Sequence, residues 1–488
     1  MTKILHSRIL QSLLVIIVIL LVGYASLYYF MYRLEPISLG DADGEIEEYY
    51  KYGSVGTENA TGVPYYIWAV LPDLFPEHLP GPGGYASLGM VWEEGQEMPV
   101  GFTKYDVGVI PRAGINCATC HAATYRTSPD AEPVVINAGP SSRFDTLGYQ
   151  KFLFESADDP KFTTNLLMDA INESFELSPF ERWSYRYGVI PFTKKILREQ
   201  KRAWAWSYEN PPWGPGRIDP FNPIKYDLLG MDVDGSVGNS DMMPIWALAL
   251  RDGHPLHWDG LNTSVREVVL SSAIGDGARP GNWIIPNSLN LEVMQRIEEY
   301  LMTVEPPAYP FEIDDALATS GEEIFTTHCA DCHMPGQGRT GEIISVEEVG
   351  TDENRVIMWN QAAADAYNAE YSRYFWGFEN FQNVDGYASV PLNGVWLRAP
   401  YLHNGSVPTL TALLEAPENR PKRFYRGYDV YDPTLVGFVS DVAEEPSTGI
   451  KFFAYDVSVL GNSNQGHLYG TELSDDEKKA LIEYLKQL

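Results

Sequence analysis

All four cysteines of this 488-residue chain lie in two copies of one pattern, Cys117-x-x-Cys120-His121 in "NCATCHAATY" and Cys329-x-x-Cys332-His333 in "HCADCHMPGQ". Three chemistries use paired Cys-x-x-Cys: a structural zinc, a redox dithiol and covalent haem attachment. Only the last needs a histidine directly after the second cysteine both times. The two thiols bond the vinyl groups of a c-type haem, and the next imidazole then reaches an axial position on the iron. A four-cysteine zinc site has no use for either histidine, and its pairs usually lie closer than the roughly 200 residues separating these. No cysteine remains for a disulfide. The expectation is two covalently bound c-type haems, held by Cys117, Cys120 and His121 and by Cys329, Cys332 and His333, with His121 and His333 as iron ligands.

The sequence around the second motif reads as a cytochrome c unit. "DDALATSGEEIFTTHCADCH" sets Leu317, Gly321, Ile324 and Phe325 on one side of a helix that delivers the motif. The chain closes on "LSDDEKKALIEYLKQL", with a capping box at Ser474 and Glu477 and Leu481, Tyr484, Leu485 and Leu488 at helical spacing. The first half ends similarly on "NLEVMQRIEEYLMTVEPP", and Pro306, Pro307 and Pro310 then mark a linker. A second echo links "PIWALALRDGHPLHWDGLNTSVREVVL" with "GVWLRAPYLHNGSVPTLTALL". The expected fold is mainly α, with two cytochrome c-like domains at 95–305 and 311–488 and large irregular loops. Residues 36–94, rich in Gly, Pro and Tyr, are expected to wrap these domains irregularly.

Residues 1–35 form an anchor or signal segment. Lys3 and Arg8 precede an apolar run from Ile9 to Met31, and about 20 such residues span a bilayer. Gly23-Tyr24-Ala25 offers a signal-peptidase site, but the run continues past it, which favours one uncleaved transmembrane helix. The expectation is a single-pass inner-membrane protein with its haem domains in the periplasm; the alternative is a periplasmic or secreted protein after cleavage. The net charge of -31 excludes a nucleic-acid partner, since phosphate binding needs a basic face. It suits a redox partner protein that presents a basic patch.

The ordered set "GYASLGMVWEEGQEMPVGF", "GINCATCHAATYR", "GPGRIDPFNPIKYDLLG", "HCADCH", "VGTDENR", "YLHNGSVPTL" and "GNSNQGHLYGTELSDDEKKALIEYL" resembles the bacterial di-haem cytochromes related to rubber (latex-cleaving) oxygenases, within the di-haem cytochrome c peroxidase and MauG superfamily. The resemblance covers almost everything after about residue 45. It implies that one haem relays electrons between two protein ligands while the other meets peroxide or dioxygen. The haem at Cys329, Cys332 and His333 is then the relay, with His467 as its sixth ligand and His403 as the runner-up. The haem at Cys117, Cys120 and His121 is the reactive one. Its distal face is unassigned, with His254, His257 and Trp258 in its expected neighbourhood. Rubber oxygenases place a phenylalanine near dioxygen where this chain reads "SSAIGDGA", without one. Arg143, Arg217 and Arg398 are candidate propionate partners.

Two function classes stand. One is electron transfer alone, with both irons closed, Met242 or Met243 closing the first. The other is a haem-dependent oxidoreductase, of peroxidase or dioxygenase type, with an open first iron. No catalytic side chain is assigned in either.

Overall fold

The structure is a computed structural model that describes residues 11–24, 43–281 and 287–488. The predicted membrane span falls partly outside these residues, as does Ala25 of the cleavage site. No helix among the described residues is long and apolar enough to cross a membrane, which overturns the expected transmembrane helix and single-pass topology.

The mainly helical expectation also needs correction. Thirteen short strands accompany the helices among the described residues, most in two-stranded ribbons, with one three-stranded sheet built from Val63–Pro64, Phe102–Val107 and Ile110–Ile115. Their brevity hid them: strands of two to six residues carry too little alternation to register beside long helices.

The helices that frame the second Cys-x-x-Cys-His motif do form. Asp315–His328 starts from the Asp314 cap, and Asp475–Leu485 starts from the Ser474–Glu477 capping box. They pack tightly because Gly321 lets the backbones meet; a Cβ there would lie 2.0 Å from the Ala480 carbonyl oxygen. Phe325 and Tyr484 fill the flank with ring centres 5.2 Å apart.

Two hydrophobic cores result. The larger draws on both sides of the Pro306–Pro310 stretch, from Ala118 and Leu270 to Trp359, Trp396 and Leu481. The smaller gathers Ile67, Trp68, Phe102, Phe152, Leu167 and Leu197 under the helices of residues 146–203.

The echo between the two halves is a structural repeat. In one copy Pro244 is followed by Ala247 at φ 51°, a 3-10 turn at Leu248–Arg251, a Leu256–Asn262 bridge around Gly260 at φ 65°, and a helix capped by Ser264. In the other, Pro391 is followed by Gly394 at φ 67°, a 3-10 turn at Val395–Leu397, a Tyr401–Val407 bridge around Gly405 at φ 63°, and a helix capped by Thr409. Counting back from the two glycines pairs Trp258, rather than His257, with His403. Copies of one supersecondary unit thus stand beside both cysteine motifs.

Candidate haem centres

Each Cys-x-x-Cys-His motif winds into a single helical turn, Ala118–His121 and Ala330–His333. The His121 amide bonds the Cys117 carbonyl at 2.9 Å, and the His333 amide bonds the Cys329 carbonyl at 3.1 Å. Residues three apart share a helix face, so each pair of thiols points the same way. All four thiols are free. Burial, with Asp276 adding its charge, pushes the Cys117 thiol up to about 12.

The imidazoles of both motifs are oriented by the repeat. His121 Nδ1 bonds the Met243 carbonyl at 2.8 Å, and His333 Nδ1 bonds the Val390 carbonyl at 2.7 Å. Each acceptor is the residue immediately before the repeat's proline, Pro244 or Pro391. A carbonyl only accepts, so Nδ1 carries the proton and Nε2 is left free as a metal donor. Burial lowers the pKa of both rings, that of His121 to about 4, which keeps them neutral and fit to bind iron.

The second centre has a facing partner. The rings of His333 and His467 stand 6.3 Å apart between centres. Two imidazoles that share one metal at nitrogen–metal distances of about 2 Å come to roughly that separation. His467 lies in a left-handed turn at φ 46° after Gly466, where a Cβ would come within 2.3 Å of Gly350. Arg420, 2% exposed, binds this turn through the carbonyls of Asn464, Gly466 and His467 at 2.6, 2.9 and 3.2 Å. Burial, then the neighbouring His333 and Arg420, lowers His467 to about 4. Its Nδ1 is buried without a hydrogen-bond partner.

His403 is engaged elsewhere. Its Nε2 is hydrogen-bonded to the Tyr387 hydroxyl at 2.9 Å, and its ring stacks on that of Tyr387 at 4.0 Å. The Met243 main chain meets the His121 ring at Nδ1, the nitrogen opposite the one that would bind iron. Among the described residues no ring contact pairs His121 with a second histidine. His254 is exposed, and Trp258 donates to the Asp241 carbonyl at 2.7 Å. His257 packs against Phe221 and Phe381, with its Nε2 buried and unpartnered. The "SSAIGDGA" segment ends the helix Val265–Asp276. It buries Ala273 and Ile274 in the core and brings Asp276 into the electrostatic neighbourhood of Cys117 and Cys120.

A cavity lined by Met243, Pro244, Arg251, Val390, Pro391 and Arg398 separates the two proximal acceptors. Arg251 follows Pro244 by seven residues, as Arg398 follows Pro391. Neither arginine has a carboxylate partner among the described residues. Arg251 donates to the Pro255 carbonyl and Arg398 to that of Asn393, while the Arg398 Nε is buried and unsatisfied. Burial lowers Arg251 to about 10; burial and the nearby Arg251 lower Arg398 to about 9. Two cations without acids, Arg251 buried and Arg398 partly so, make a site for anionic groups, and haem propionates fit them. The repeat register would have disclosed Arg251, which reading each motif alone misses. Arg143 is spoken for by Asp429 at 2.7 Å. Arg217 serves the Trp213 carbonyl and Asn462 Oδ1 and lies over the Tyr455 ring.

Residues 386–425, which contain Val390, Arg398, His403 and Arg420, match a family described as RoxA-like, cytochrome c-like. The match relates the chain to the rubber oxygenases and supports a c-type haem. Two proteins of Sinorhizobium fredii (strain NBRC 101917 / NGR234) are similar to the chain, and both are named only as uncharacterized. Protein y4iM is 34% identical over 242 residues, which cover 41% of this chain and 55% of y4iM. Protein y4iJ is 27% identical over 515 residues, covering 82% of this chain and 84% of y4iJ. The chain thus spans about half the length of y4iM.

Proposed function

We propose that this chain is an exported di-haem c-type cytochrome of the di-haem peroxidase and MauG superfamily, with one closed relay iron and one iron open to peroxide or dioxygen. The observation that carries this reading is the asymmetry of the two centres. His333 has His467 in ring contact at 6.3 Å, whereas His121 makes no such ring contact with a histidine among the described residues; His257, whose buried Nε2 has no partner, feels the His121 ring only electrostatically. In this reading Cys329, Cys332, His333 and His467 hold the relay haem, and Cys117, Cys120 and His121 hold the reactive one. Haem supplies one-electron and dioxygen chemistry, and the ligands and pocket access decide which is expressed.

The chain's own residues do the rest. Met243 and Val390 hold protons at Nδ1 of the two proximal rings. Arg251 and Arg398 bind propionates in the cavity between them. Trp246 spans the same gap, its Nε1 donating to the Asn393 carbonyl at 2.8 Å, three residues beyond Val390. This gives electrons a short bonded route from one centre to the other. Attachment of c-type haem requires export, so a periplasmic or secreted location follows from the reading, and the acidic surface suits a partner with a basic patch.

Low-temperature electron paramagnetic resonance of the ferric protein tests the assignment, with pyridine haemochrome counting the haems. One low-spin and one high-spin signal are expected from two haems per chain. Two low-spin signals would reduce the function to electron transfer.

A further inference from the structure

One surface element is unlike the rest of this acidic molecule. Pro179–Ser184, a wider turn at Tyr185–Val189 and Ile190–Ala203 form one continuous helical run. Its inner face sends Tyr185, Ile190 and Leu197 into the smaller core, which fixes the direction of the opposite face. That outer face exposes Phe180 at 62%, Trp183 at 61%, Tyr187 at 68% and Phe192 at 54%. Phe180 and Trp183 have ring centres 6.4 Å apart, and Trp183 and Tyr187 6.2 Å, so these three rings form a contiguous ridge. Single exposed apolar residues are ordinary, but a contiguous aromatic ridge marks an interaction surface.

The charge of the run is equally distinct. Between Pro179 and Ala203 there are seven Lys or Arg against two Glu, in a chain with 35 basic and 66 acidic residues. Lys195 pairs with Glu199, Arg198 with Asp158 and Lys201 with Glu155 and Asp158, while among the described residues Arg182 and Arg202 form no ion pair and Arg186 bonds the Asn165 side-chain amide oxygen at 3.0 Å. Exposed Trp, Tyr and Phe with the unpaired Arg182 among them and Arg202 at the far end of the same run are the combination that an amphipathic helix uses at a lipid headgroup boundary.

We infer that the Phe180–Trp183–Tyr187 ridge, with Arg182 and Arg202, docks the protein peripherally on an anionic lipid surface. The chain's net charge does not forbid this. At physiological ionic strength charges farther than about 8 Å are largely screened, so the local basic excess meets the headgroups. No spanning segment is involved, and the inference is independent of which iron is open.

Vesicle flotation of the full-length holoprotein tests it, comparing phosphatidylcholine vesicles with and without phosphatidylglycerol. Combined Phe180→Ser, Trp183→Ser and Tyr187→Ser should lower the floated fraction about tenfold, with the Soret spectrum and melting unchanged. Combined Arg182→Glu and Arg202→Glu should abolish the preference for phosphatidylglycerol. Equal flotation of the wild-type and serine variants would overturn the inference by assigning lipid binding to another segment, residues 9–31 included. So would equal binding of the wild type to both vesicle types, which would point instead to an acidic protein partner. A second readout needs no variant: phosphatidylglycerol vesicles should slow tryptic cleavage at Arg182 and Arg186 several-fold, and unchanged cleavage would also overturn it.

Discussion

His467 faces His333 across 6.3 Å between ring centres, while His403, five residues after Arg398, turns away to stack on Tyr387. Replacing His467 by Ala should open one iron, giving a new high-spin signal and carbon monoxide binding there, with the His121 centre little changed. His403→Ala should leave the spin states alone and cost about 2 kcal/mol of stability, the loss of a buried hydrogen-bonded ring. The reverse pattern would transfer the ligand role to His403.

Arg420 holds the turn that presents His467 through several carbonyls at once, which a planar fork of donors can do and a single ammonium cannot. Arg420→Lys should therefore behave much like Arg420→Gln. Both should lower stability by about 2–4 kcal/mol in denaturant titrations. Both should also give a fractional high-spin signal at the His333 centre, and a purely structural role would leave that signal absent.

Arg251 and Arg398 place two uncompensated positive charges between the centres. Removing either as Gln should lower a haem midpoint potential, because a nearby cation favours the reduced, less positive iron. The shift should be on the order of 50 mV, close to the 59 mV that a tenfold change represents for one electron. Potentiometric titration followed at the Soret band measures it, and an unchanged potential in both variants would remove the propionate assignment.

Acid should destabilise the fold through histidines buried in neutral form. Burial lowers His403 and His257 to about 3, whereas an unfolded histidine takes its proton near 6.5. Between those values the unfolded state binds protons that the folded state refuses. Stability should be complete above pH 6.5 and fall by about 1.4 kcal/mol per pH unit for each such histidine as pH drops towards 3. His403→Gln should remove one of these slopes from the acid limb, as read by denaturant unfolding at pH 7, 5.5 and 4.

The parts of this molecule legible in the sequence are those where chemistry dictates spacing. The Ser474–Glu477 box is local because a cap reaches only its own helix turn, and the helical turns at Ala118–His121 and Ala330–His333 are local in the same way. Arg420 was invisible because its partners are backbone carbonyls, which leave no trace in residue identity, and Arg251 shows only once the two copies of the repeat are set in register. The ribbons escaped notice since pairs such as Arg217–Ile218 with Ser240–Asp241 are set by long-range contact and not by a pattern within either strand. The run before residue 31 misled for the opposite reason. Its composition would suit a bilayer, but among the described residues no helix is long and apolar enough to cross one.

The docking of both proximal rings on a carbonyl that precedes a proline has an evolutionary consequence. Because the acceptor belongs to the main chain, the side chain at that position is free to drift, and the two copies already differ there, Met in one and Val in the other. What selection can see is the proline that follows and the turn it sets. Descendants of one ancestral unit can thus lose nearly all recognisable identity while each still aims an imidazole the same way, so distant kin of this chain should be sought by an x-Pro step and an arginine seven residues on.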